Sequence, residues 1–280
     1  MAAKIGLVLE GGGMRGLYTC GVLDRLHESH WYPDFCIGVS AGACNAASYL
    51  SDQYGRARRV IVDNIENPRY LGMRNYLKTG SMFGMDFIFK EIPEKLDPFD
   101  YAAFGRNPVE FLVGVTDVET GLPAYYGKEA MRRGTTLLRA SSSLPVFSPI
   151  VNFRGHKYLD GGTSDPIPVR KAIEAGCDRL IVVLTRPAGY RKQPESGRAV
   201  YRYLYRRYPA MIDCIERRHI IYNDELDDVA ELEAAGTALV LRPPAEIPIG
   251  RFEKRRAVLD ALYEAGHRDA GPVIGWAEGR

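Results

Sequence analysis

The sequence predicts an α/β protein built as a three-layer sandwich, with helices on both faces of a mostly parallel sheet. Two strand–turn–helix units occupy residues 5–50, and units of this kind build parallel sheets. Residues 180–184 form a continuous apolar run, which is typical of a strand buried on both faces. We therefore expect a main unit over residues 1–185, with an apolar insertion at about 65–108, and a mostly helical extension over 186–280 that packs on it.

Composition argues against several classes of function. The chain has 280 residues, of which 46% are hydrophobic, and a formal net charge of +2. This near-neutral balance gives no electrostatic reason to expect nucleic acid as a partner. The five cysteines include no C-x-x-C pair, so we expect buried free thiols in a reducing compartment rather than disulfides or a zinc site. No metal-ligand cluster is visible in the sequence, and we expect neither a metal nor another cofactor.

The distribution of apolar residues bears on localisation. The first apolar run, at residues 5–9, is too short for a signal peptide. No apolar stretch approaches the roughly 18 residues of a membrane span. We expect a cytoplasmic protein that contacts the inner membrane surface at most peripherally.

The first unit places a glycine-rich loop between a strand at residues 5–9 and a helix. Such a loop points several backbone N–H groups at one spot and therefore predicts an anion cradle. Gly11, Gly13 and Gly16 also match the dinucleotide fingerprint, which requires an acidic residue at the end of the second strand. Here Asp34 precedes that strand, so the fingerprint lacks its ribose anchor.

The second unit carries Gly38, Ser40 and Gly42 as Gly-x-Ser-x-Gly, directly after an apolar strand at about 35–39. This pattern is typical of a nucleophile elbow, in which a serine stands at a sharp turn between a strand and a helix. Glycines are needed beside it because a Cβ would clash with the crossing elements. The alternative is a small-residue turn that carries a serine by chance. In a parallel sheet both loops would share one edge, so the glycine-rich loop could donate N–H groups to an acyl oxyanion formed at Ser40.

Asp160 ends the second strand of a predicted hairpin over residues 151–159 and is followed by Gly161 and Gly162. The two glycines allow another element to approach closely. An aspartate in this context is alternatively a turn former. Asp165 in the same loop precedes a proline, so we expect it to shape the turn.

The insertion crowds methionine and aromatic residues together without a regular period. This pattern predicts an adaptable apolar surface. Two interpretations stay open, namely the wall or lid of an acyl-chain pocket and ordinary core beneath a long insertion.

In the extension, the sequence predicts a helix over 211–235, and the polar residues 223–225 offer a point at which it could break. A strand over 238–242 and a last helix over 254–266, which ends at a glycine, follow. Tyrosines and arginines mix around residues 201–208. That mixture indicates either an anionic membrane contact or a solvated helix whose tyrosines cap the core.

A serine nucleophile needs a base, and in many hydrolases a histidine transfers the proton. Ser40, Asp160 and His267 follow the chain order of an α/β-hydrolase triad. However, this elbow follows the second strand, whereas an α/β-hydrolase usually has several strands before it. A histidine-using hydrolase therefore stays an alternative.

Three ordered motifs resemble the patatin-like phospholipases over about residues 4–185. The segment with Ala140, Ser141 and Pro145 is also similar to that family, and the remainder resembles the C-terminal part of bacterial patatin-like proteins, less distinctively. The motifs are Gly11-Gly12-Gly13-Met14-Arg15-Gly16, Gly38-Val39-Ser40-Ala41-Gly42 and Asp160-Gly161-Gly162.

The resemblance implies a patatin-like fold and a Ser–Asp dyad with no histidine. It assigns Ser40 as the nucleophile and Asp160 as the base. It places the oxyanion hole in the loop of residues 11–16, at the amides of residues 12–14, with help from Arg15. Asp165 stands where the resemblance leads us to expect asparagine.

These observations predict a serine acyl hydrolase for lipid esters, of the phospholipase A type, that forms an acyl-enzyme intermediate. A lipid or other ester would be its substrate. The alternatives are a non-catalytic lipid-binding module, a Ser-His-Asp hydrolase and a dinucleotide-binding protein. The sequence leaves open the acyl chain, the head group, the acyl acceptor and the oligomeric state.

Overall fold

A computed structural model describes residues 3–132 and 134–279. Within these residues, eight strands form one sheet in the order β5-β6-β3-β2-β1-β7-β8, and β4 pairs with β3. The strands are β1 (Ile5–Leu9), β2 (Phe35–Val39), β3 (Glu110–Asp117), β4 (Pro123–Gly127), β5 (Val151–Phe153), β6 (His156–Asp160), β7 (Arg179–Val183) and β8 (Ala238–Leu241).

The centre of the sheet is parallel, as the sequence predicts. Strand β1 pairs with β2 on one side and with β7 on the other, so that Val8 lies opposite Ile37 and Val182. Strands β3 and β8 continue the parallel sheet outward, whereas β4, β5 and β6 pair antiparallel. The carboxyl ends of β1 and β2 therefore meet at one edge.

Helices cover both faces of the sheet. They are α1 (Leu17–Glu28), α2 (Ala41–Leu50), α3 (Arg56–Val62), α4 (Met73–Thr79), α5 (Tyr101–Arg106), α6 (Thr136–Ser141), α7 (Val169–Glu174), α8 (Arg198–Leu204), α9 (Pro209–Ala234), α10 (Arg256–Asp269) and α11 (Val273–Ala277). A wide π-type helix, Phe87–Leu96, lies between α4 and α5.

Alternate residues of the central strands enter two different cores, which establishes the three layers. Leu7 and Leu9 of β1 belong to the core that contains α1, α2 and α10. Val8, between them, belongs to the core that contains α7 and α9, together with Ile37. This alternation follows from the two-residue period of a strand, and the unbroken apolar sequence follows from burial on both faces.

Two predictions about the extension are wrong. Helix α9 runs through residues 223–225 without a break, because the polar side chains there make contacts outside the helix: Asn223 bonds to the backbone of Lys192 and Glu225 to the amide of Ile167. Helix α10 continues past Gly266. A Cβ at Gly266 would lie 2.0 Å from the carbonyl oxygen of Tyr18, so this glycine permits close packing of α10 on α1 rather than ending the helix.

The tyrosine-rich stretch contains both buried and exposed tyrosines, since Tyr203 is 67% exposed. Tyr201 and Tyr205 are buried in a small core with Met211, and Arg202 pairs with Glu216 at the surface. All five cysteines are free, and four of them are buried. No helix in the described part of the chain is long and apolar enough to cross a membrane.

Candidate active site

Ser40 stands at the junction of β2 and α2 in a strained conformation. Its φ is 54° and its ψ is −126°, and a positive φ is costly for any residue with a Cβ. The side chain is 6% exposed. Such a conformation persists only where neighbouring groups hold it. Here the holding group comes from α6.

Ser141, the last residue of α6, holds the turn. Its buried hydroxyl accepts a hydrogen bond from the Ser40 amide at 2.8 Å and donates one to the Gly114 carbonyl at 2.6 Å. One side chain thus connects the elbow to β3. A close approach at Gly42 completes the packing, because a Cβ there would lie 2.4 Å from the Leu9 carbonyl oxygen.

Asp160 ends β6, opposite Val115 of β3. It is 2% exposed. Its Oδ1 accepts a hydrogen bond from the Gly162 amide at 2.8 Å, while its Oδ2 is buried without a hydrogen bond of standard geometry. Gly161 packs directly on the Gly114 carbonyl, where a Cβ would lie 2.2 Å away. The structure thus brings both predicted dyad residues to the walls of one polar pocket.

Burial raises the pKa of the Asp160 carboxyl group. The hydroxyl of Ser40, the charge of Arg218 and the Gly162 amide act in the opposite direction but do not outweigh the loss of solvation. A carboxylate with a raised pKa is a stronger base than one in water. This environment suits proton transfer from an alcohol.

The glycine-rich loop follows β1 and lies against the elbow, since a Cβ at Gly11 would be 2.9 Å from the Cβ of Ser40. The amides of Gly12 and Gly13 make no hydrogen bond to another residue of the described chain. The amide of Met14, which the resemblance also placed in the oxyanion hole, instead donates to the carbonyl of Arg251 at 3.1 Å.

Contacts at Gly13 and Gly16 fix the remainder of the glycine-rich loop. Gly13 has a φ of +58°, and a Cβ there would lie 2.7 Å from the Arg251 carbonyl oxygen. The carbonyl of Gly16 accepts a hydrogen bond from the Asn45 side chain at 2.9 Å. Gly12 and Gly13 thus keep unpaired amide donors in the loop that lies against Ser40.

An apolar cavity of about 120 Å³ opens at Ser40. Residues of the insertion supply one wall of it, and they include Tyr70, Phe83, Met85, Ile88, Phe89, Pro93 and Phe99. Other insertion residues, such as Phe87, Ile92 and Phe104, belong to the main core. The insertion therefore supplies residues to both a cavity wall and the main core, and Tyr70 and Phe99 belong to both.

A polar pocket lies on another side of Ser40. Ser40, Gly13 and Leu144 line both spaces. Cationic side chains contribute much of the polar wall, and they are Arg15, Arg186, Lys192, Arg218 and Arg251. A group bound covalently to Ser40 would therefore have an apolar space and a basic space within reach.

No histidine of the described chain lines either space. His267 bonds to Glu28 at 3.1 Å and stacks on Tyr263, so it does not complete a triad with Ser40. Asp34 accepts from the Ile5 amide at 2.8 Å at the amino end of the sheet. It is thus at the opposite edge from the glycine-rich loop, where it cannot anchor a ribose. Within the described residues there is no group of side chains suited to a metal ion.

Several residues of the site carry no signal in the sequence. Arg218 of α9 donates to the Gly162 carbonyl at 2.6 Å and acts electrostatically on Asp160. Glu10 accepts from the Thr185 amide at 2.5 Å and from the Tyr222 hydroxyl at 2.8 Å. Asp165 lies away from both spaces and accepts from the Tyr125 hydroxyl, so it supports the loop rather than the chemistry.

Comparisons with known proteins identify the family that the chain resembles. The family model described as patatin-like phospholipase matches residues 7–173, and a model for a domain of unknown function matches residues 208–271. The chain is 30% identical over 207 residues to the uncharacterized protein YjjU of Escherichia coli, covering 72% of this chain and 57% of that protein. It is 25% identical over 291 residues to lysophospholipase nte1 of Aspergillus terreus, covering 95% of this chain and 18% of that protein.

The fold also has a solved counterpart. VipD from Legionella pneumophila superposes with a TM-score of 0.54 at 10% identity, covering 100% of this chain and 67% of that chain. The likeness is one of fold alone. The chain spans little more than half of the Escherichia coli relative and under a fifth of the fungal one.

Proposed function

The chain belongs to the patatin-like phospholipase family, and on that premise we propose that it is a lipid acyl hydrolase with Ser40 as nucleophile and Asp160 as base. One observation carries the proposal. A strained, exactingly held serine stands beside a buried carboxylate, at the point where free backbone amides and an apolar cavity meet.

The first half of the reaction is acylation. Asp160 accepts the hydroxyl proton of Ser40 as the oxygen attacks the ester carbonyl. The amides of Gly12 and Gly13 donate to the oxyanion, a contribution of about 3 kcal/mol per donor in comparable sites. When the tetrahedral intermediate collapses, the ester bond breaks and Asp160 returns the proton to the leaving alkoxide, which departs as an alcohol.

The second half is deacylation. Asp160 takes a proton from water, whose oxygen attacks the acyl-enzyme carbonyl. The same amides hold the second oxyanion. Collapse releases the carboxylic acid and returns the proton to Ser40, so that one base serves both halves.

The apolar cavity would take the acyl chain. Burial of each methylene group is favourable by about 0.8 kcal/mol, and the methionine and aromatic side chains of the insertion can adapt to a flexible chain. Binding of the chain there would place the ester carbonyl at the shared wall formed by Gly13 and Ser40.

The enzyme would bind its substrate at a membrane surface. Its five unpaired thiols are typical of a reducing compartment, so this surface would be the cytoplasmic one. Helix α4 presents Met73 and Leu77, which are 59% and 81% exposed. Its Tyr76 packs on Phe147, and Phe147 contacts Phe252, the neighbour of the cavity residue Phe83. An exposed apolar surface thus adjoins the cavity wall.

Labelling with a fluorescent fluorophosphonate tests the assignment. We expect the wild type and His267→Ala to be labelled, and Ser40→Ala and Asp160→Asn not to be. Labelling that persists in Ser40→Ala would refute the nucleophile. A folded wild type that is never labelled and releases no fatty acid from any ester would favour the non-catalytic lipid-binding module instead.

A further inference from the structure

The polar pocket at Ser40 contains more positive charge than its acidic groups neutralise. Five cationic side chains line it, and two acidic ones do, Glu10 and Asp160. A third acid, Glu195, lies behind the wall and pairs with two of the cations. The cations come from separate parts of the chain, and they are Arg15, Arg186, Lys192, Arg218 and Arg251.

Two of these cations already form ion pairs with an acidic side chain behind the pocket wall. Lys192 and Arg218 share Oε1 of Glu195, at 2.7 Å and 2.8 Å. Arg218 also donates to the Gly162 carbonyl at 2.6 Å. These two side chains are nearly buried and well satisfied, so they form a rigid part of the pocket.

The other three cations have no ion pair within 4 Å in the described chain. Arg15 is 6% exposed, and its buried Nε makes no hydrogen bond. Arg186 lies over the ring of Tyr190 at 4.4 Å, and its side chain makes no hydrogen bond to a described residue. Arg251 contributes its carbonyl oxygen to the Met14 amide, but its guanidinium likewise bonds to none of residues 3–132 and 134–279. A buried guanidinium without a partner is costly unless a ligand completes its hydrogen bonds.

The acids of the pocket do not remove this excess. Both oxygens of Glu10 are taken, by the Thr185 amide and the Tyr222 hydroxyl. Asp160 accepts a hydrogen bond from the Gly162 amide and is the proposed base for Ser40. Burial, followed by the neighbouring charge of Arg186, lowers the pKa of Arg15 to about 10. Burial and the charge of Arg218 likewise lower the pKa of Arg251. The arginines of the polar pocket therefore repel one another.

We propose that this pocket binds a phosphomonoester in the leaving group, so that the enzyme prefers acyl esters of an alcohol that carries a phosphomonoester to zwitterionic and neutral esters. The inference rests on the proposed hydrolase and names its substrate class. With the acyl chain in the apolar cavity and the carbonyl at Ser40, the alcohol portion of the ester reaches the basic space. Guanidinium groups match phosphate oxygens in pairs of parallel hydrogen bonds, which three unpaired arginines can supply.

The same geometry discriminates among head groups. A phosphomonoester carries up to two negative charges and meets the unpaired arginines directly. A neutral glycerol leaves them unpaired in the complex. A phosphocholine brings a quaternary ammonium into a space bordered by cations, where like charges repel. The phosphomonoester is therefore expected to be preferred, with the phosphocholine and neutral glycerol esters below it at similar levels.

The kinetic test compares esters that share one acyl chain. We would measure kcat/KM for 1-palmitoyl-glycerol 3-phosphate, 1-palmitoyl-glycero-3-phosphocholine and 1-palmitoyl-glycerol at fixed ionic strength, in the same detergent. We expect the phosphomonoester to exceed the neutral ester by about 10- to 100-fold, the usual range for a hydrogen bond to a charged group. In Arg186→Gln and Arg251→Gln, neither of which breaks an existing side-chain hydrogen bond, that ratio should fall at least fivefold.

Arg191→Gln is the matched control. It removes the same charge from the same loop, but Arg191 points to Asn223 and Asp227 on α9 and does not line the pocket. Its substrate ratio should equal that of the wild type. A ratio near one in the wild type, or an equal fall in all three variants, would overturn the head-group assignment.

A binding measurement separates this inference from the proposed function. Calorimetric titration of the Ser40→Ala protein with glycerol 3-phosphate requires no turnover, and we expect binding that Arg251→Gln weakens at least tenfold. Binding with no hydrolysis of any ester would refute the hydrolase and retain the phosphate site. Equal binding of inorganic phosphate, together with no preference among esters, would indicate a site for free phosphate and overturn the head-group proposal. Absence of binding together with absence of preference would overturn it as well.

Discussion

Replacing Ser141 by alanine tests how the strained elbow is held. The hydroxyl of Ser141 is fully buried and connects the Ser40 amide to the Gly114 carbonyl. Its loss leaves the Ser40 N–H buried without a partner, which costs about 1–3 kcal/mol. Loss of the bond to Gly114 adds roughly 1 kcal/mol. We therefore expect a destabilisation of about 2–4 kcal/mol.

The assay combines thermal unfolding with the rate of fluorophosphonate labelling. A destabilisation of this size should lower Tm by roughly 3–7 °C for a chain of this length. Without its anchor the positive φ of Ser40 can relax, and displacement of a nucleophile by about 1 Å can cost 100-fold in rate. We expect labelling of Ser141→Ala to slow by at least tenfold, measured below its unfolding transition.

Ser143→Ala supplies the matched control. Ser143 is equally buried, at 1% exposed, and its hydroxyl donates only to the Arg139 carbonyl at 2.8 Å. That carbonyl also accepts from the Ser142 amide at 3.2 Å, so the loss leaves no backbone group unpaired, and less than about 1 kcal/mol should be lost. Equal loss of stability in the two variants, or unchanged labelling in Ser141→Ala, would refute the reasoning.

Three further predictions concern charge and surface. Because burial raises the pKa of Asp160, the unfolded carboxyl ionises first as the pH rises, and stability falls from about pH 4 through the folded pKa. Asp160→Asn should therefore be more stable than the wild type at pH 7 and equal to it near pH 3, by thermal unfolding; a lower Tm at pH 7 would contradict this. The acid limb of the kcat/KM profile should lie above the ordinary aspartate pKa of about 3.9, since the base must be ionised, and a limb at or below it would contradict the base role. Leu77→Asp should reduce binding to phospholipid vesicles severalfold in a flotation assay, whereas Leu122→Asp, at a site 63% exposed on the β3–β4 turn, should not; equal effects would exclude α4 as the contact.

The sequence predicts the parts of this protein that depend on neighbours in the chain. The parallel sheet, the elbow and the loop after β1 are encoded by short patterns, since period, glycine placement and turn chemistry act within a few residues. Asp160 could be predicted as a site residue for the same reason, because it is the last residue of a strand and precedes two glycines. The errors within α9 and at the end of α10 arose because contacts with residues distant in the sequence override the local preference of polar residues and glycine to interrupt a helix. Gly266 ends no helix because Tyr18, on α1, needs the space that a side chain would fill.

The supports of the site could not be predicted, because each of them joins residues far apart in the chain. The bond between Ser40 and Ser141 spans 101 residues and the bond between Arg218 and the Gly162 carbonyl spans 56. The resemblance to the family includes the segment with Ser141 but gives that serine no partner, and an arginine on an amphipathic helix is common, so the local sequence identifies neither contact. The involvement of Met14 with Arg251 also shows why a resemblance that assigns amides by position overstates the number of free donors.

The extension after residue 185 is part of the site rather than an addition to it. Thr185 and Tyr222 hold both oxygens of Glu10, which is the residue that precedes the glycine-rich loop. The carbonyl of Arg251 holds the Met14 amide at the other end of the same loop. Tyr222 and Arg251 of the extension, together with Thr185 just before it, thus hold both ends of the loop that would bind the oxyanion.

The extension also carries two of the three unpaired arginines, Arg186 and Arg251, and this has a physical consequence. A phosphate that drew Arg251 toward the pocket would act on a segment whose carbonyl already holds the glycine-rich loop in place. Head-group binding and oxyanion binding would then share one backbone connection, so a charged leaving group would be favoured in kcat as well as in KM. A phosphate group that served only as a handle for binding would change KM alone, and this difference between the two kinetic constants distinguishes a coupled subsite from a separate one.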